Sequence, residues 1–236
     1  MTEKIKNKIL RELKSAGDKK SAAGKAAYFQ TQKGGYGEGD LFWGLSVGQQ
    51  RKIAKKYYAE INLKDTEELL KHKVHEVRVT ALMIMIAKYE KASEDKKAKI
   101  IAVYLRNTKY VNNWDLVDLS APLLVGDFWY HNRPDAMWKY AKSGKLWEER
   151  IAVISTFYFI RCGRFDETLA LCKFFLNHKH DLIHKACGWM LRETGKKAKT
   201  YLYAFLDKNC KIMPRTMLRY AIEKLPEKKR KHYMEL

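Results

Sequence analysis

The segment WDLVD at 114–118 sets an indole and a carboxylate four residues apart. On a helix that spacing stacks Trp114 over Asp118. KACGWMLR at 185–192 repeats the device with cations: Lys185, Trp189 and Arg192 fall at i, i+4 and i+7, on one helical face. Arg150, in RIAVI, stands between the two phrases. Indole faces attract cations and stack on nucleobases. A single aspartate among cations stays ionised and can stabilise developing positive charge or orient a water. Each residue also has a plainer reading. The tryptophans could be core fillers, Asp118 an ion-pair partner of Arg150, and Arg192 a partner of a local carboxylate. The combination says more than its members, because the two phrases recur at one repeat period.

Other motifs carry less chemistry. Gly34, Gly35, Gly37 and Gly39 lack the GK[ST] ending of a phosphate-binding loop and follow no apolar strand. The stretch 34–44 is expected to be a flexible loop, with Tyr36, Phe42 and Trp43 available as a lid or a nucleic-acid-contacting finger. His180 and His184 sit at i, i+4 without HExxH or a nearby third ligand, so no metal is expected. Cys162, Cys172, Cys187 and Cys210 form no CxxC pair and read as reduced packing residues. No Ser or Cys has nucleophile-elbow context.

The elements that must hold these residues are helices. Residues 3–14 place Ile5, Ile9, Leu10 and Leu13 along one stripe, while 75–89 and 147–161 are near-solid apolar runs that read as buried helices. Asp65, Ser93 and Pro134 mark expected starts. Basic residues lead small-apolar segments at Arg78, Arg150, Lys185 and Arg219, with a further member at 114, giving a period near 35 residues. Two helices per unit at that period predict an all-α solenoid of HEAT-like repeats with a concave basic face, in one domain spanning 1–236.

Composition bounds the rest. The 236 residues carry 47 Lys+Arg against 27 Asp+Glu, a net charge of +20. Such a surface attracts polyanions, nucleic acid or an anionic membrane face, or else serves solubility. With 12 arginines and therefore 35 lysines, it favours contact with a phosphate backbone over base reading. Gly 13 and Pro 4 are too few for an all-β sandwich or barrel. The charged N-terminus MTEKIKNKIL excludes a signal peptide, and no apolar run reaches membrane-spanning length, so a cytoplasmic protein is expected.

Phrases spread over roughly residues 20–225 resemble the AlkD family of bacterial DNA glycosylases. They are TKYVNNWDLVDLSAPLLVGDFW at 108–129, WEERIAVISTF at 147–157 and KACGWMLRETGKKA at 185–198, with the weaker AAYFQTQK at 26–33 and FWGLSVGQQRK at 42–52. The resemblance implies HEAT-like repeats around duplex DNA and excision of cationic N3- and N7-alkylpurines, without metal, cofactor or base flipping. It assigns Asp118 as the catalytic carboxylate and Trp114 and Trp189 as the aromatic pair at the lesion. It further assigns Arg150 and Arg192 as phosphate-gripping cations and Tyr28 as an aromatic lining the cleft. Lys185, on the face of Trp189, joins the DNA-binding set. The expected partner is double-stranded DNA carrying alkylated bases, met by a monomer.

Two departures stand out. Asn113 occupies a place where some relatives carry tryptophan, and the 34–44 stretch is longer than the usual connection. The alternatives are a non-catalytic HEAT-like module binding damaged or branched DNA, and a repeat scaffold without salt-sensitive DNA binding.

Overall fold

The computed structural model describes residues 3–236; Met1 and Thr2, the first two positions of the expected 1–236 domain, lie outside the described residues. The fold is all-α. Among the described residues no strand forms, only an isolated bridge between Leu41 and Val74. Two compact units divide the chain, Met1–Ser120 and Ala121–Leu236.

The first unit contains α1 (Ile5–Ser15), α2 (Lys19–Tyr28), α3 (Val47–Tyr57), α4 (Leu63–Leu70), α5 (His75–Glu90), α6 (Glu94–Arg106) and α7 (Trp114–Ser120). At the centre is α5, buried continuously from His75 to Ile86. Its apolar residues surround the axis instead of forming a stripe, the pattern of a helix enclosed by neighbours. It packs on α3, α4 and α7. The start of α4 differs from the expected Asp65. Asn62 is the N-cap, its side-chain oxygen accepting the Asp65 N–H at 2.7 Å. Asn caps as well as Asp, and Asp65 falls in the first turn, where the helix dipole favours its charge.

Part of the glycine-rich stretch is packed, and three of its glycines explain why, whereas Gly34 and Gly39 stand in open space at positive φ. A Cβ on Gly35 would stand 1.9 Å from the Gln30 carbonyl oxygen, and one on Gly37 2.2 Å from that of Phe29. At Gly44, with φ +86°, a Cβ would lie 2.1 Å from the Asp18 carbonyl oxygen. The segment ends pinned to the start of α5: the His75 N–H donates to the Leu41 carbonyl at 2.8 Å. The buried Glu76 carboxylate accepts the backbone N–H groups of Trp43, Gly44 and Leu45 at 3.0, 2.9 and 3.2 Å.

The second unit contains α8 (Asp127–Asn132), α9 (Met137–Ala141), α10 (Leu146–Arg161), α11 (Asp166–Phe174), α12 (Asp181–Lys197), α13 (Lys199–Asn209), α14 (Arg215–Ile222) and α15 (Glu227–Glu235). Pro134 opens a 3₁₀ turn that runs into α9. The core stack is α10 on α12 and α12 on α14. Gly188 allows the second contact, since a Cβ there would meet the Met217 carbonyl oxygen and the Tyr220 Cβ, each at 2.5 Å.

The helices α5, α7, α10, α12 and α14 begin at 75, 114, 146, 181 and 215, spacings of 32 to 39 residues. The repeat is therefore real at the level of helix placement. Arg150, Lys185 and Arg219 are each the fifth residue of their helices. No helix among the described residues is long and apolar enough to cross a membrane.

Candidate functional site

In the first unit, the site is organised around the N-terminus of α7. Asn113 starts this helix: its carbonyl accepts the Val117 N–H at 3.1 Å and its side-chain oxygen the Trp114 N–H at 2.8 Å. The residue that departs from the family pattern thus sets the helix that carries Trp114 and Asp118. Trp114 is half-buried, and its indole N–H donates to the Tyr36 hydroxyl at 3.3 Å. Asp118, also half-buried, follows one turn later on the same helix.

Aromatic rings hold the indole from the side of α2. Phe29 stacks on Trp114 at 5.4 Å between centroids, and the 65% exposed Tyr28 meets it edge-on at 6.1 Å. Tyr28 and Trp114 are therefore brought together. Phe42 stacks on Phe29 at 5.2 Å and on His75 at 4.7 Å. It points into this cluster and does not form the tip of a finger; Trp43 meets His72 edge-on.

Behind the rings is a buried charge network that sequence reasoning missed. His75 Nδ1 lies 2.9 Å from Asp40 Oδ2, and its Nε2 lies 2.7 Å from Asp115 Oδ2. Arg78 Nη2 donates to Asp40 Oδ1 at 2.7 Å. Burial disfavours charge on His75, but the two carboxylates outweigh it and raise its pKa above the ordinary value. Burial likewise opposes ionisation of Asp40, yet the His75 and Arg78 contacts hold its pKa below the usual carboxylate range. The one local signal for this network was a histidine and an arginine, His75 and Arg78, in the first turn of a largely apolar helix.

In the second unit, the expected residues lie on α10 and α12, each already partnered. Arg150 is buried and donates to the Leu182 carbonyl at 2.5 Å. Lys185 pairs with Asp181 at 2.7 Å. The Trp189 indole N–H donates to Glu193 at 3.1 Å, and its ring lies 5.9 Å from Phe157. Arg192 shares Glu193 at 3.5 Å and also pairs with Glu223. Trp189 and Arg192 therefore converge on one carboxylate. His180 does not serve as a ligand: its ring nitrogen accepts the Leu182 N–H at 3.1 Å as the cap of α12. Among the described residues no group of three or more His, Cys, Asp or Glu is arranged to hold a metal ion.

Fold and site together define a class: a strongly basic, all-α helical-repeat protein with an indole and a carboxylate one turn apart on a short helix. The model of the DNA alkylation repair enzyme family matches residues 9–225, and the chain belongs to that AlkD-like family. Its role is accordingly in the repair of alkylated DNA. A solved structure described as a predicted DNA alkylation repair enzyme from Enterococcus faecalis shares the fold. It superposes with a TM-score of 0.71 at 14% identity, over 89% of this chain and 97% of that one. No match was found among curated proteins.

Proposed function

We propose that this protein is a DNA glycosylase that hydrolyses the N-glycosidic bond of cationic alkylpurines, of the 3-methyladenine and 7-methylguanine type, in duplex DNA. Its Trp114–Asp118 pair on α7, walled by Phe29 and Tyr28, is the observation that carries the reading. An N3- or N7-alkylated purine already bears positive charge. When the C1′–N bond breaks, the bonding electrons leave with the base, which departs neutral, and the sugar becomes oxocarbenium-like. The carboxylate of Asp118 stabilises that cation. It also orients the water that adds at C1′ and takes the proton this water gives up. Trp114 offers a π-face to the same charge. This chemistry requires no metal or cofactor, and because the leaving group is already activated it does not require extrusion of the base.

Arg150, Arg192, Lys185 and Tyr28 form the proposed DNA-binding set. Lys185 and Arg192 reach phosphate by exchanging their carboxylate partners for it, whereas buried Arg150 acts through its hold on the start of α12. The enzyme works as a monomer of HEAT-like repeats in the cytoplasm.

Release of methylated base from alkylated duplex tests the reading. Asp118→Asn should lower the single-turnover rate about 10²–10³-fold, the roughly 2.7–4 kcal/mol expected for one well-placed electrostatic group, with DNA affinity nearly unchanged. Equal rates for variant and parent would remove Asp118 from catalysis. Duplex binding without any base release by the parent would favour a non-catalytic binding module.

A further inference from the structure

The charge network behind Trp114 has a protonation requirement that follows from its hydrogen bonds alone. An ionised carboxylate only accepts, and a neutral imidazole has one donor and one acceptor. Yet both ring nitrogens of His75 face carboxylate oxygens, Asp40 Oδ2 at 2.9 Å and Asp115 Oδ2 at 2.7 Å. Both contacts are hydrogen bonds only when His75 is the doubly protonated imidazolium. The charges then close: two carboxylates against His75 and Arg78, which binds the other oxygen of Asp40. Two aromatic rings also flank His75, Phe29 at 5.0 Å and Phe42 at 4.7 Å.

The network's anchors lie on three separate segments. Asp40 belongs to the glycine-rich stretch, His75 and Arg78 to α5, and Asp115 to the first turn of α7, next to Trp114. Phe29 packs against both His75 and Trp114. We infer that His75, bridging Asp40 and Asp115 through both ring nitrogens, is a positioning residue that fixes Trp114 and α7 against the glycine-rich segment. Its link to base excision rests on the function proposed above; its role as a clamp does not. Loss of one proton sets an imidazole lone pair against a carboxylate, and one of the two hydrogen bonds that tie the glycine-rich segment and α7 to α5 is lost.

The Asp115→Asn substitution separates this from a merely structural role. Asp115 Oδ1 accepts the Leu116 N–H at 2.9 Å, while its Oδ2 faces His75. An asparagine keeps the first contact through its oxygen and donates its amide to a neutral His75 Nε2, so the clamp no longer needs the second proton. Two measurements on the full chain test this. In ¹⁵N-histidine NMR without DNA, wild-type His75 should stay doubly protonated above the ordinary histidine value of about 6.5. The Trp114 indole resonance should shift when His75 finally titrates. In Asp115→Asn, His75 Nε2 should be unprotonated at neutral pH, and the Trp114 resonance should not move over that range. A wild-type His75 with a single protonated nitrogen below the ordinary histidine value of about 6.5 would overturn the inference.

The second measurement is single-turnover base release against pH, each protein scaled to its own plateau. Wild type should fall toward about 10²-fold as His75 loses its proton, the scale of a displaced reacting group, and Asp115→Asn should lack this alkaline limb. An identical limb in both proteins would refute the positioning role. If wild type releases no base, the proposed function fails, and the NMR result still decides the clamp.

Discussion

Gly188 links the packing of the second unit to the position of Trp189, and Gly188→Ala measures that link. An ideal Cβ at 188 would stand 2.5 Å from the Met217 carbonyl oxygen and 2.5 Å from the Tyr220 Cβ, with the Met217 carbonyl carbon at 3.3 Å. These are backbone and near-backbone atoms of α14, so no rotamer change relieves the clash. The α12–α14 contact must open by roughly 1 Å, and overpacking of this kind costs about 1–3 kcal/mol. Against it stands a gain of up to ~1 kcal/mol from replacing glycine by alanine inside a helix. The net expectation is a loss of roughly 1–2 kcal/mol, or a Tm lowered by roughly 2–8 °C for a chain of this size. Gly24 is the matched control, because it lies inside α2 and a Cβ there would meet nothing within 4 Å. Gly24→Ala should therefore hold or raise Tm, by up to ~1 kcal/mol of stability. Calorimetry or thermal melts followed by circular dichroism compare the two directly. A Gly188→Ala protein as stable as Gly24→Ala would refute the reasoning that glycine is required for the helix contact.

Three further outcomes follow from the first unit. Asp118→Asn carries the rate loss described above, read by base release. Folding stability should depend on pH through the His75 network. The pKa of His75 is raised on folding, so its stabilisation is complete below the ordinary histidine value of about 6.5 and is lost as pH rises through the folded value. Asp40 is depressed, so its part is present above about 3.8 and is lost as pH falls through its lower folded value. Urea titrations across pH should show a plateau between these limits, and in His75→Gln the alkaline decline should vanish; persistence of that decline would assign it elsewhere. Glu76→Gln should destabilise by about 1–3 kcal/mol, because one amide oxygen cannot serve all three N–H groups that the carboxylate accepts. An unchanged urea midpoint would contradict that accounting.

Much of the fold was legible in one dimension. Apolar periodicity marks α5 and α10 to within a residue, because a helix enclosed on all sides needs an unbroken apolar run. Trp114 over Asp118 needed only the helical period. The glycine-rich stretch is only partly legible, since a glycine needed for close approach, such as Gly35, Gly37 or Gly44, looks in sequence like one kept for freedom, such as Gly34 or Gly39. The start of α4 was displaced because Asn62 and Asp65 are both acceptable caps, and only the chain's path chooses between them.

Sequence by itself thus determined the helical class, the repeat spacing, the indole–carboxylate pair and the family, all of which depend on residues close in the chain or on ordered phrases. Tertiary structure alone decided that His75 meets Asp40 and Asp115, partners 35 and 40 residues away. It also decided that Arg150 binds the Leu182 carbonyl and that Arg192 and Trp189 share Glu193. The physical reason is the range of each signal. Periodicity reports which face of a helix is buried, whereas the identity of a buried charge's partner is set by which helices pack together, and no local spacing encodes that choice.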